Sequence, residues 1–212
     1  MKKNVILFDL DGTVIDSKIG IYNSILYTLN KLNLPLIDED TMQKFLGPSI
    51  ISSFINLVGL SEEKAELATT YYREYYSCKG IYECSLYNEI ESIIEYLYSN
   101  GYKVGLATKK PQNFSVKILN HFGIDKYFSC ICGSSMSETS TTKGHIIQKA
   151  ALNLTSDLSK AVLIGDTIYD VQGAKEANID FIGALYGYGN VNDISGYMGL
   201  INSPLELKKV LL

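Results

Sequence analysis

Asp9 and Asp11 stand two residues apart in Phe8–Ser17, FDLDGTVIDS, with Asp16 close behind, directly after the apolar run NVILF. Far along the chain, Asp166 and Asp170 lie four apart in GDTIYD. Carboxylates this crowded repel one another, and ending an apolar strand on them is costly unless something compensates their charge. Several of them stay ionised together only around a cation. An oxygen-only donor set favours a hard ion, and Mg²⁺ takes a few carboxylates while keeping several waters. A Mg²⁺ among Asp9, Asp166 and Asp170 would also attract an anion. The electrostatics of these residues therefore point to metal-assisted chemistry on a phosphate.

For the acids to meet, the elements before them must be neighbours. Near-continuous apolar runs at Val5–Phe8, Val104–Ala107, Phe128–Cys132, Ala161–Ile164 and Phe181–Ala184 predict strands. Helical patterns lie between the last four. Ile90, Ile93, Ile94 and Leu97 follow helical spacing up to Asn100-Gly101, and Phe114, Ile118 and Phe122 do so between Pro111 and Gly123. This alternation predicts a parallel sheet covered on both faces. In such sheets ligands bind beyond the carboxyl ends of the strands. Asp9, Thr108 and Asp166 each come just after a predicted strand, so they converge at one edge if those strands are neighbours. Asp11, two residues on, faces the same cavity. Asp170 returns to the same side if a helix begins there.

The rhythm breaks after the first strand. Ile21, Ile25, Leu29 and Leu32 mark one helix and Ser61-Glu62-Glu63 starts another, with no convincing strand between. This predicts a helical domain over 16–79, inserted into an α/β core of 1–15 and 80–212. Within it, YYREYYSCKGIY puts Tyr71, Tyr72, Tyr75 and Tyr76 on one broad helical face, a packing surface with its hydroxyls at the edge.

The whole chain has 212 residues and a formal charge of -4, which gives no general attraction to nucleic acid or to an anionic membrane. No run approaches the ~18 apolar residues of a membrane span. The start MKKNVILFDLDG is interrupted by acids too early for a signal peptide. Cys78, Cys84, Cys130 and Cys132 lack zinc-site spacing. Cys130 and Cys132 point the same way along a strand and make a poor disulfide. Free thiols place the expectation in a reducing, cytoplasmic compartment. The oligomeric state has no signal.

DLDGT at Asp9–Thr13, Thr108, Lys143 and GDTIYD at Gly165–Asp170 resemble, in order, the four motifs of the haloacid dehalogenase superfamily of phosphohydrolases. The resemblance implies a Rossmann-like parallel-sheet core with a small inserted helical cap domain. It makes Asp9 the nucleophile that forms an aspartyl-phosphate, and Asp11 the acid that protonates the leaving oxygen and later the base that activates water. Lys143 would neutralise Asp9 and the transferring phosphoryl group, with Thr108 and Gly12 at the phosphate. Mg²⁺ would be held by Asp9, the backbone carbonyl of Asp11 and Asp166, with Asp170 as ligand or neighbour. An acid at position 11 favours phosphatase or phosphomutase within the superfamily.

A helical insert after the first motif, LGPSI at Leu46–Ile50 and ALYGYGN at Ala184–Asn190 resemble phosphoglycolate phosphatase-like and 5′-nucleotidase-like members. LGPSI reads either as a turn presenting helix N–H groups to substrate or as a helix boundary; in the second loop, Tyr186 or Tyr188 is a candidate contact to substrate or cap. The chain departs from that group in carrying Thr167 where arginine is frequent, and in having no arginine in ETSTTK before the motif lysine. The expected function is Mg²⁺-dependent hydrolysis of a small phosphate monoester, phosphoglycolate-like or a nucleoside monophosphate. A β-phosphoglucomutase-like phosphomutase is the alternative, and a receiver-like phospho-acceptor a lesser one. His145 reads as a surface or cap residue; Lys109 and Lys110 read either as lysines that help attract phosphate or, more commonly for a loop, as solvated lysines, and neither is assigned a role.

Overall fold

The computed structural model describes residues 3–135, 141–193 and 198–211. The first strand, β1 (Val5–Phe8), is buried along its whole length, as expected of a strand covered on both faces. After β1 the chain forms β2 (Ile15–Asp16), then the helices α1 (Lys18–Lys31), α2 (Glu39–Gln43), α3 (Ile50–Val58) and α4 (Glu62–Cys78), then β3 (Ser85–Leu86). It continues through α5 (Ile90–Ser99), β4 (Lys103–Pro111), α6 (Gln112–Phe122), β5 (Cys130–Ser134), α7 (Lys143–Leu154), β6 (Ala161–Gly165), α8 (Ile168–Glu176), β7 (Asp180–Ala184), β8 (Gly199–Ile201) and α9 (Leu207–Leu211). It divides into two compact units, Met1–Asp16 with Leu86–Leu212, and Ser17–Ser85.

The larger unit holds a six-stranded sheet in the order β5-β4-β1-β6-β7-β8, and each of these pairings is parallel. The expected α/β architecture is present. β1 is central, and the chain builds outward from it first toward β5 and then toward β8. The topological switch therefore lies at β1, the position beyond whose carboxyl end ligands bind in open sheets of this kind. On one face, Val5 and Leu7 pack with Leu163 and Phe181 against Ile146, Ile147 and Ala150 of α7 and Ala174 of α8.

Register sets the level of the site. Phe8 is opposite Leu106 on one side and Ile164 on the other, so the next residues, Asp9, Ala107 and Gly165, come level at the carboxyl edge. Besides the unexpected two-residue strands β2 and β3 and the extension of β4 to Pro111, β5 and β8 differ from expectation. The run predicted from Phe128 begins pairing at Cys130, because a 3₁₀ turn at Asp125–Tyr127 occupies the Phe128 N–H. β8 is a three-residue edge strand, too short to produce a periodic signal.

The smaller unit packs α1 and α3 against α4. Tyr72 and Tyr76 are buried and stack at 5.5 Å between centroids, while the Tyr75 hydroxyl donates to Glu83 Oε1 at 3.0 Å. Tyr72 and Tyr76 of the tyrosine stretch thus serve packing. In LGPSI, Ser49 is the N-cap of α3, its hydroxyl accepting from the Ser52 N–H at 3.4 Å. The four cysteines are free thiols. Among the described residues no helix is long and apolar enough to cross a membrane.

Candidate active site

At the carboxyl end of β1, Asp9 is buried, its backbone held by a 2.9 Å hydrogen bond from its N–H to Ile164 O. Asp166 follows β6, and Asp170 lies in the first turn of α8; both are fully buried. One carboxylate oxygen from each of Asp9, Asp166 and Asp170 falls within 4.8 Å of the others. Three stretches that are distant in sequence meet here, because Lys143, the first residue of α7, also enters the cluster. Its Nζ lies 2.6 Å from Asp9 Oδ1 and 3.0 Å from Asp170 Oδ1.

Each carboxylate has a distinct set of partners. Asp170 Oδ2 accepts from the Thr167 N–H at 3.0 Å and its hydroxyl at 2.7 Å, which caps α8; Oδ1 faces Lys143. Asp166 Oδ1 accepts from the Thr13 hydroxyl at 3.2 Å, and Oδ2 from the Tyr188 N–H at 2.8 Å. Gly12 allows this approach. It has φ +78°, and a side chain there would run into the Asp166 carboxylate. Its N–H donates to Ile15 O at 2.9 Å. Thr108 is buried at the end of the buried part of β4, one residue beyond the level of Asp9, and its hydroxyl accepts the Lys110 N–H at 3.2 Å.

The electrostatics are those of three acids sharing one base. Burial, then the nearby Asp170 and Asp11, push the Asp9 carboxyl up to about 6 against the opposing pull of Lys143. Asp166 is raised well above the carboxylate range by burial and by Asp170 and Asp9. Burial works against the charge on Lys143, but Asp170 and Asp9 together hold its affinity for the proton above that of an ordinary lysine. One ammonium leaves the cluster short of positive charge. Asp9 Oδ1 and Asp170 Oδ1 are buried and have between them only the one Lys143 ammonium. Buried anionic oxygens in that condition fit a hard divalent cation.

A pH effect follows. Asp9 binds its proton more tightly folded than unfolded, so between its raised value near 6 and the ordinary 3.8 the native state holds the extra proton. Stability contributed by that proton is present at low pH and lost as pH rises through about 6. Metal-free protein should therefore gain stability between pH 7.5 and pH 5, on the order of 1 kcal/mol, since about one pH unit of that range lies below the native value. Saturating Mg²⁺ should remove the difference. Melting curves in chelator and in Mg²⁺ measure both; metal-free protein that melts no higher at pH 5 contradicts the charge balance described.

The other residues singled out in the sequence fall as follows. Asp11 is not among the three clustered acids and pairs through both oxygens with Lys110 Nζ, at 2.9 and 2.8 Å. Lys110, expected as a solvated loop lysine, is therefore buried and paired, with 7% side-chain exposure. β4 continues to Pro111 as a strand instead of opening into a loop there. Lys109 Nζ donates to Thr141 O at 2.5 Å. His145 takes part in the α7 cap, its N–H donating to Thr142 Oγ1 at 3.1 Å. Asp16 accepts from the Tyr188 hydroxyl at 2.8 Å, and the Tyr186 hydroxyl donates to Thr13 O at 3.1 Å. Of the arginine-free ETSTTK stretch, 138–140 lies outside the described residues. Gly173 carried no signal in the sequence, yet a Cβ there would press on Lys143 Cγ at 2.7 Å. Its absence leaves room for the lysine stem.

A buried acid cluster with one lysine, set at the switch point of a parallel sheet, defines a class of phosphate-handling hydrolase, and comparison with known proteins agrees. The family described as haloacid dehalogenase-like hydrolase matches residues 6–184. The chain is 32% identical to a 5′-nucleotidase of Pseudomonas aeruginosa, covering 91% of this chain and 87% of that one. It is 33% identical to the tyrosine-protein kinase PtkA of Mycobacterium tuberculosis (90% and 65%) and 30% identical to a phosphoglycolate phosphatase of Colwellia psychrerythraea (92% and 90%). The solved structure of a haloacid dehalogenase-like family hydrolase from Streptococcus pneumoniae superposes with a TM-score of 0.92 at 33% identity, over 99% of each chain. The chain belongs to the haloacid dehalogenase-like hydrolase family and is one of its phosphoric monoester hydrolases.

Proposed function

We propose that the chain hydrolyses a small phosphate monoester, phosphoglycolate-like or a nucleoside monophosphate, through an aspartyl-phosphate on Asp9. The observation that carries this is the buried Asp9 carboxylate with Lys143 Nζ at 2.6 Å, placed where β1, β4 and β6 end. A side-chain oxygen of Asp9 attacks phosphorus as the bond to the leaving oxygen breaks, and Asp11 gives that oxygen its proton. Asp11 then takes a proton from water as the water oxygen attacks phosphorus, which releases inorganic phosphate and regenerates Asp9. Splitting one displacement into two lowers each barrier, and the rest of the catalysis is positioning and charge stabilisation. Lys143 holds the Asp9 oxygen and balances the phosphoryl charge, and the Thr108 hydroxyl is the donor for a phosphoryl oxygen.

Asp9, Asp166 and the backbone carbonyl of Asp11, with Asp170 beside them, would hold Mg²⁺, which when bound supplies positive charge for the phosphoryl oxygens. Excess chelator should abolish turnover and added Mg²⁺ restore it; full activity in chelator would sink this assignment. The helical unit is read as the cap that selects the substrate. The names of the phosphatase relatives support the substrate class. A phosphate-release screen over a metabolite panel with Mg²⁺, with Asp9→Asn as the blank, tests the function. Isomerised sugar phosphate without phosphate release would favour the phosphomutase instead.

A further inference from the structure

Lys110 makes a contact that the chemistry above does not use. It lies on β4 two residues beyond Thr108, where the register with β5 shifts between Ala107 and Pro111. Pro111 restricts the preceding residue to extended backbone, and the Lys110 N–H is tied to Thr108 Oγ1 at 3.2 Å. With its backbone held in this way, the side chain donates to both oxygens of Asp11, a residue 99 positions away, at 2.9 and 2.8 Å. Ordering a lysine costs rotamer freedom, and drawing its ammonium out of water costs hydration, so such a pair adds little net stability. Its effect is geometric: two bonds from one nitrogen fix the torsion of the Asp11 carboxyl group.

We propose that Lys110 is the positioning residue for Asp11. The inference rests on the assignment of Asp11 as the proton donor to the leaving oxygen. A carboxylate offers about four acceptor positions over its two oxygens. Lys110 occupies one on each, which leaves the opposite edge of the group for the substrate. When Asp11 carries its proton, the carbonyl oxygen stays on Lys110 and the hydroxyl oxygen meets the leaving group. The proton passes to the leaving oxygen as its bond to phosphorus breaks and the Asp9 oxygen–phosphorus bond forms. Lys110 keeps its own protons throughout.

The test is a series of monoesters with uncharged leaving groups of increasing basicity: 4-nitrophenyl, phenyl and benzyl phosphate. The readout is kcat/KM, which reports the steps up to leaving-group departure. Nitrophenolate departs without a proton, whereas benzyl alcohol requires one. In Lys110→Met, the ratio of kcat/KM for benzyl phosphate to that for 4-nitrophenyl phosphate should fall about 10–100-fold relative to wild type. Lost attraction for phosphate lowers every substrate alike and cancels in the ratio. Lys110→Gln, which keeps an N–H donor, should lose less, and it serves as the second variant if the methionine protein does not fold. An unchanged ratio overturns the proposal. Asp11→Asn run in parallel separates the two failures. If its ratio is also unchanged, the assignment of Asp11 as proton donor is what fails. If it falls while the Lys110 variants stay flat, only the role of Lys110 is lost.

Discussion

Asp9→Asn is expected to lower turnover by roughly four to six orders of magnitude, as removal of a covalent nucleophile does, without unfolding the protein. The amide has nearly the volume of the carboxylate, so the packing of a buried position between Ile164 and Lys143 is kept. What disappears is the anionic oxygen that would bond to phosphorus. The variant should also melt at or above the wild-type temperature in metal-free buffer at pH 7.5. Asp9 is pushed up to about 6 by burial and its acidic neighbours, so at that pH its charge is held against an adverse environment that an amide does not meet. Two measurements check this: steady-state phosphate release, and acid-quench labelling, in which wild type traps radioactive phosphoenzyme and the variant traps none. Near-wild-type turnover, or undiminished labelling, rules out Asp9 as the site of covalent chemistry.

Lys143→Met should be nearly as damaging, and for a different reason. Lys143 Nζ contacts both Asp9 Oδ1 and Asp170 Oδ1, and its side chain is 9% exposed. Removing one partner of a buried ion pair leaves the other charges uncompensated, at a cost of about 3–5 kcal/mol. In the proposed reaction the same ammonium would face the charge that moves through the phosphoryl group, and loss of one such donor typically costs about 10²–10³-fold. Both a lower melting temperature and a lower kcat are expected. Mg²⁺ should raise the melting temperature of the variant more than that of wild type, because the cluster then has a larger excess of negative charge for the cation to neutralise. Equal Mg²⁺ effects on the two proteins would contradict the shared-charge description. Lys143→Arg should not restore activity: a planar guanidinium cannot take the place of a compact ammonium between two carboxylates, and the stem lies against Gly173, where space is tight.

The central strands and the order of the acids were readable from the sequence because they rest on local signals. Apolar runs of four or five residues ending in Asp9, Thr108 and Asp166 specify buried parallel strands and the edge at which those residues emerge. The helix starting after Thr167 could be expected to bring Asp170 round to Asp166, because helical spacing alone does that. Cys130–Ser134 and Gly199–Ile201 were less legible. The first follows a 3₁₀ turn and the second is too short to carry a period.

What only the tertiary structure decided is which charges pair. From its composition, TKK before Pro111 reads as solvated, yet Lys110 turns inward to Asp11 while Lys109 reaches Thr141 O. Adjacent strand residues point to opposite faces, but that Lys110 is the one to find a carboxylate is decided by an acid 99 residues away. Asp170 likewise divides its oxygens between a helix cap and Lys143, a division set by the packing of α7 against α8. Residue types and strand ends determined that acids would gather at this edge. Long-range packing determined the partner of each acid, because electrostatic pairing depends on distances of a few ångströms between groups far apart in the chain.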